Sequence, residues 1–148
     1  MHLSEFMPWA AGQTLENTRA FIESTRARLL TNNGFECAIV RDGRIVGMVG
    51  YHFVHWDNRS TSMGYWLAAA EQGRGTMTAA VRALVDHAFG AWNLNRVEIE
   101  AAVENDRSRA LVRRLGFREE GIRRQVERVG DRFLDHVVHS MLASEWPG

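Results

Sequence analysis

The pattern of apolar and polar residues predicts an α/β layer fold, with elements in the order α–βββ–α–β–α–ββ and a central sheet that mixes antiparallel and parallel pairs. Three observations carry that expectation. A β-rich meander from Phe35 to Leu67 is punctuated by Asp42-Gly43, a two-residue hairpin signal. A helical stripe follows at Met77, Val81, Leu84, Val85, Ala88 and Trp92. Arg96 to Val103 then alternates, with Val97, Ile99, Ala101 and Val103 on one face and Glu98, Glu100 and Ala102 on the other.

Taken in order, residues 1–13 show no clear period, and Phe6, Met7 and Trp9 are expected either to form a partner surface or to close a core. A helix starts at Thr14, which can cap it; Leu15, Thr18, Ile22 and Leu29 recur at helical spacing and Asn33-Gly34 can end it. Three strands follow at Phe35–Val40, Ile45–Val54 and Thr61–Leu67, and the stripe from Thr76 must pack on them as a helix. The alternating strand leads to a helix from Asp106 to Leu115, with Gly116 as its stop. Arg118–Arg128 and Arg132–Leu142 make a hairpin around Val129-Gly130-Asp131.

Composition narrows the function classes. The chain has 148 residues, 45% of them hydrophobic and 24% charged, which fits one domain spanning 1–148. Pro8 and Pro147 lie near the ends, so no proline-rich linker divides it. The net charge is zero, and no global field recruits nucleic acid or an anionic membrane. All 18 basic side chains are arginine. Cys37 is the only cysteine, which excludes an internal disulfide and a cysteine-held metal. No apolar run reaches the roughly 18 residues of a membrane span and the N-terminus lacks a signal core, so a cytoplasmic protein is expected.

The stretch Gln72-Gly-Arg-Gly75-Thr-Met-Thr78 runs from a strand into a helix and offers bare backbone N–H groups. No Asp or Glu occurs between Gly73 and Val85, although a helix N-terminus normally attracts them, so the place suits an anion. A turn that needs glycine for geometry alone is the other reading. The segment lacks the third glycine of a dinucleotide fingerprint and the lysine of a P-loop.

Gln72-Gly-Arg-Gly75-Thr-Met77 resembles the acetyl-CoA pyrophosphate loop of the GNAT acetyltransferases, and Asn105-Asp-Arg-Ser108 with the helix closing on Gly116-Phe117 resembles the element that follows it in that superfamily. Gly64-Tyr-Trp-Leu67, Leu94-Asn-Arg-Val-Glu98 and Asp135-His-Val-Val-His-Ser-Met-Leu142 with Glu145-Trp146 are similar to the RimJ/RimL branch, which acetylates N-terminal amines of ribosomal proteins. The resemblance implies a GNAT fold with a mixed, mostly antiparallel sheet flanked by helices, and a transferase moving acetyl from acetyl-CoA directly to a primary amine, on a protein N-terminus or a small molecule. It implies no metal. Family members usually carry a further strand and helix before the equivalent of His2; either the true start lies upstream or that strand is dispensable, in which case a second subunit could cover the bared sheet edge.

On this resemblance, the backbone of Gly73, Arg74, Gly75, Thr76, Met77 and Thr78 holds the pyrophosphate, Trp66-Leu67-Ala68 pairs with the pantetheine arm as an added strand does, and Asn105 bonds the same arm while capping its helix. Glu100 is the candidate base, sharing a face with Glu98, whose charge would raise a carboxylate pKa were the two close and poorly solvated. His55 and Asp57 are weaker candidates. Ser108 is the candidate acid for the departing thiolate, since the Tyr that the superfamily often carries is Val112 here and the Glu found in many relatives before Gly64 is Ser62. Those two departures keep a second class open, a non-catalytic acyl-CoA-binding or regulatory module. The pairs His52/His55 and His136/His139 are spaced to face opposite ways in a strand. Arg107, Arg109, Arg113 and Arg114 are expected as a solvated helix face, the other reading being that some meet the CoA 3′-phosphate or an acidic substrate segment.

Overall fold

The computed structural model describes residues 2–148. Six strands form one sheet: β1 (Glu36–Arg41), β2 (Arg44–His55), β3 (Ser60–Leu67), β4 (Arg96–Ala102), β5 (Arg118–Val129) and β6 (Arg132–Leu142), in the spatial order β1-β2-β3-β4-β6-β5. Only β3 and β4 run parallel. That parallel pair requires a crossover, and the third helix, Thr76–Gly90 (α3), supplies it.

Asp42 and Gly43 both adopt positive φ, 49° and 75°, as the tight β1–β2 hairpin demands. The α3 stripe is buried as its period requires: Met77, Val81, Leu84, Val85 and Ala88 all face the sheet, at roughly 1.5–3 kcal/mol for each large side chain removed from water. They meet Val49, Tyr51, Met63, Leu67, Val97, Ile99 and Met141, and the fourth helix, Asp106–Arg114 (α4), adds Leu111 and Val112. Gly116, at φ 87°, ends α4. Tyr51 crosses this core to donate from its hydroxyl to the Leu84 carbonyl at 2.6 Å.

The N-terminal region takes the second of its two expected roles and closes a core. Residues 2–10 are not irregular: His2–Phe6 is a short helix (α1) and Pro8–Ala10 a 3-10 turn. Phe6 packs on Ala102, Val129 and Leu134, a second small core, and Trp9 lies 5.9 Å from Trp66. Thr14 caps the next helix (α2, Leu15–Leu30) by accepting from the Asn17 N–H at 3.1 Å. Yet α2 buries none of its side chains. Polar bonds attach it instead: Arg28 donates to the carbonyls of Tyr51 and His52 and to Glu36 Oε1, and Val54 N donates to Asn33 Oδ1 at 2.9 Å.

The Arg28 bonds meet the sheet where β2 is irregular. Between Tyr51 and Phe53 the β2–β3 register slips, and His52 is the extra residue. The bulge puts Tyr51 and Val54, three apart, into one core. Strict alternation therefore fails at His52/His55, while β6 is regular through His136 and His139 and turns them to opposite faces. Tyr51→Phe removes a buried hydrogen bond and leaves the Leu84 carbonyl with its helical partner alone, so it should lower the unfolding free energy by about 1 kcal/mol in urea denaturation without changing the m-value.

Candidate active site

β3 and β4 pair only from Ser60–Arg96 to Met63–Ile99, although both strands continue. From there they part. A cleft of about 1730 Å³ passes between them and is lined from both faces of the sheet, more than a single small-molecule pocket of roughly 300–1,000 Å³ needs.

On the helix side the cleft is floored by the turn before α3. Gly73 and Gly75 both sit at φ 76°, where a Cβ would strain the backbone but would touch nothing within 4 Å. Both glycines are thus required by conformation, and the space beside them is open. Gly75 is the N-cap and makes no side-chain cap bond, and the first turn of α3 carries no acid, so its N–H groups face the cleft without a competing anion. Arg41 and Arg74 both reach Glu71 beside the turn, at 2.7 and 3.7 Å. Arg107 from the start of α4 donates to Gln72 Oε1, tying the two helix starts together.

Asn105 caps α4: its Oδ1 accepts from Ser108 N at 3.2 Å, which leaves its amide nitrogen free to donate into the cleft. Trp66 and Leu67 lie on β3 past the point of separation, and Ala68 N donates to Val46 O at 2.8 Å. Ser108 lines the cleft one turn into α4, with its Oγ 2.7 Å from the hydroxyl of Tyr65. Burial pushes the Tyr65 phenol up to about 12, outweighing the opposite pull of the Ser108 bond.

Across the gap, on the other face, stand charged groups. Glu100 Oε1 receives Arg123 at 2.5 Å and its Oε2 lies 3.1 Å from His136 Nδ1. His136 Nε2 in turn lies 2.9 Å from Glu127 Oε2, so the imidazole bridges two carboxylates. Glu98 turns to Arg96 at 2.6 Å instead, so the two β4 carboxylates are partnered separately. Gly64 lies beneath His52, and a Cβ there would come within 2.5 Å of the ring. Burial, and secondarily Arg28, hold His52 below its usual value of 6.5.

Glu100, Ser108, Asn105, Trp66, Leu67 and Gly73 to Thr78 line this one cleft. His55 and Asp57 do not, although His55 lies with its ring 4.5 Å from that of Phe53, which does. Of the four arginines of α4, Arg107, Arg113 and Arg114 are exposed as expected of a solvated face, and Arg109 departs from it. Arg109 is largely buried, bonding the Val103 carbonyl and Glu119, while Arg107 and Arg114 line the cleft. Sequence reasoning did not single out Tyr65, His136, Glu127 or Arg123 for this site. The last three share a signal, acids and bases on the hairpin at cross-strand positions, but the irregular register of β5, with Gln125 at φ 50°, hid which would meet.

The chain matches the acetyltransferase (GNAT) domain family over residues 1–118. It is 43% identical over 116 residues to the provisionally named ribosomal N-acetyltransferase YdaF of Bacillus subtilis (strain 168), covering 78% of this chain and 63% of that protein. Among solved structures it superposes on Mycobacterium smegmatis RimJ in complex with CoA-disulfide with a TM-score of 0.90, at 31% identity, covering 99% of this chain and 73% of the other. It also superposes on the microcin C7 self-immunity acetyltransferase MccE in complex with acetyl-CoA and AMP, with a TM-score of 0.88 at 26% identity, over 95% and 79% of the chains. The chain belongs to the GNAT acetyltransferase family, in the neighbourhood of the RimJ and RimL enzymes. It spans slightly under two thirds of the length of YdaF. Among the described residues no helix is long and apolar enough to cross a membrane.

His139 sits against this site from the helix face, fully buried, with Nδ1 at the Ile99 carbonyl and no hydrogen-bond partner on Nε2. Burial lowers its proton affinity below the usual 6.5. Below about pH 6.5 the unfolded chain therefore binds a proton that the folded chain refuses, and stability falls with pH until the folded value is passed. The melting temperature should decline from pH 7.5 to pH 5.5, and His139→Gln should remove part of that decline while the share due to His52 remains.

Proposed function

We propose that this chain is an acetyl-CoA-dependent N-acetyltransferase that passes acetyl directly to a primary amine, with the N-terminal amine of a ribosomal or other protein as the acceptor class. The observation that carries this reading is the parting of β3 from β4. It opens one passage in which the anion-ready turn at Gly73–Thr78 and Ser108 lie on one side of the sheet and Glu100 lies on the other.

Each residue then has a task. The backbone of Gly73, Arg74, Gly75, Thr76, Met77 and Thr78 binds the pyrophosphate through N–H groups at the start of α3. The strand end Trp66-Leu67-Ala68 and the Asn105 amide hold the pantetheine arm, so the thioester carbonyl lies in the gap. The acceptor reaches the carbonyl from the other face. Glu100 takes the proton of the ammonium, directly or through a water, and its contact with His136 continues to Glu127, which lines the same cleft. The neutral amine attacks the carbonyl carbon, the C–S bond breaks, Ser108 gives its proton to the departing thiolate, and the proton shed by the acylated nitrogen returns to Ser108. Acetyl-CoA and amine are consumed, and amide and CoA thiol are formed.

Thiol release from acetyl-CoA, measured over peptides beginning with Ser or Ala, spermidine and free lysine, tests the reaction and identifies the acceptor. Binding of acetyl-CoA with no thiol release for any amine would favour a non-catalytic acyl-CoA module instead. With the best acceptor, Glu100→Gln and Ser108→Ala should each lower kcat by about 10²-fold while the dissociation constant for acetyl-CoA stays within a few-fold. A wild-type rate in either variant would remove that residue from the mechanism.

A further inference from the structure

Ser108 can protonate a thiolate only if its single proton points into the gap. A serine hydroxyl has one O–H and two acceptor lone pairs, and nothing in the helix fixes where the O–H turns. Ser108 N is engaged by Asn105, which orients the backbone but not the hydroxyl. The group that meets the hydroxyl comes from the sheet: the phenol of Tyr65, at 2.7 Å, two residues beyond the last β3–β4 pair.

Two arrangements satisfy that contact. If Ser108 donated to Tyr65, its proton would be spent inside the pair and none would face the cleft. If Tyr65 donates, the serine oxygen is occupied as an acceptor and its own O–H is left to turn to another partner. A phenol whose proton is retained far above neutral pH is always able to play the donor. Leu111, on the same side of the cleft, belongs to the core and offers no competing polar group.

We propose, resting on the transferase reading above, that Tyr65 is a positioning residue: its phenol donates to Ser108 Oγ and so directs the serine proton at the departing thiolate. Once Ser108 has given up that proton, the same hydrogen bond faces an oxygen gaining negative charge and becomes stronger, so it stabilises the transfer more than the resting state. Tyr65 forms no bond to the substrate.

The test compares wild type, Tyr65→Phe, Ser108→Ala and the double variant in single-turnover acetyl transfer to the fastest acceptor of the panel, with acetyl-CoA affinity measured alongside. Tyr65→Phe should slow the turnover about tenfold with the acetyl-CoA dissociation constant within twofold of wild type. In the Ser108→Ala background the same substitution should change nothing further, because the oxygen it serves is gone. A wild-type rate for Tyr65→Phe overturns the inference. So does an equal loss in both backgrounds, or a loss matched by weaker acetyl-CoA binding, since either marks a packing role. A wild-type protein that releases no thiol overturns the transferase reading together with this inference, an outcome visible before any variant is made.

Discussion

The constraint on which the structure depends is the short ladder between β3 and β4. Four residue pairs join the strands, and beyond Met63 and Ile99 the hydrogen bonds stop while both backbones continue. Backbone polar groups in a protein interior are costly to leave without partners, so strands that part inside a sheet create a demand as well as a space. An amide-rich chain meets that demand in a way that a purely apolar ligand could not. The remaining architecture serves to keep the gap open at one end and closed at the other. The buried stripe of α3 presses on β2, β3 and β4 where they are paired, and the start of the same helix comes to the open end.

The two faces of the sheet have different chemistry as a result. The helix-covered face is largely apolar, and burial lowers the proton affinity of its histidine, His139. The other face carries connected ion pairs: Arg96 joins Glu98 to Glu120, and His136 joins Glu100 to Glu127. Partly exposed pairs of this kind add little to stability one by one. Their effect lies in fixing where charged side chains stand on one side of the gap. Group transfer between two substrates that approach from opposite sides of a sheet gains most from such fixing, because the geometry is set before either substrate arrives.

Much of this was legible in the sequence. Periodicity marked α3 and β4 because their faces meet a real boundary between core and solvent, and the chemistry of Asp42-Gly43, Gly73, Gly75 and Asn105 is local enough to be read residue by residue. What was hidden depended on pairing. The length of the β3–β4 ladder, the bulge at His52, the meeting of Tyr65 with Ser108 across 43 positions and the Glu100–His136–Glu127 contact all arise from registers that no local pattern encodes. The period of α2 gave a helix but not its burial: Leu15, Ile22 and Leu29 recur at the right spacing and remain 68%, 47% and 58% exposed.

That last feature shapes the molecule's motions. Asn17, Thr18, Phe21, Ser24 and Arg28 form one wall of the cleft, yet the helix that carries them has no buried side chain and is fastened chiefly by the Arg28 clamp and by the Val54 N–H donating to Asn33 just beyond its end. The free energy needed to detach such an element is a small part of the global unfolding free energy, so its amide protons exchange through local opening while those of α3 wait for the core to dissolve. The protein thus has a rigid half, where the nucleotide end of a donor would rest, and a compliant half on the acceptor side. A bulky polypeptide could be admitted there by displacing α2 without disturbing the geometry at the gap.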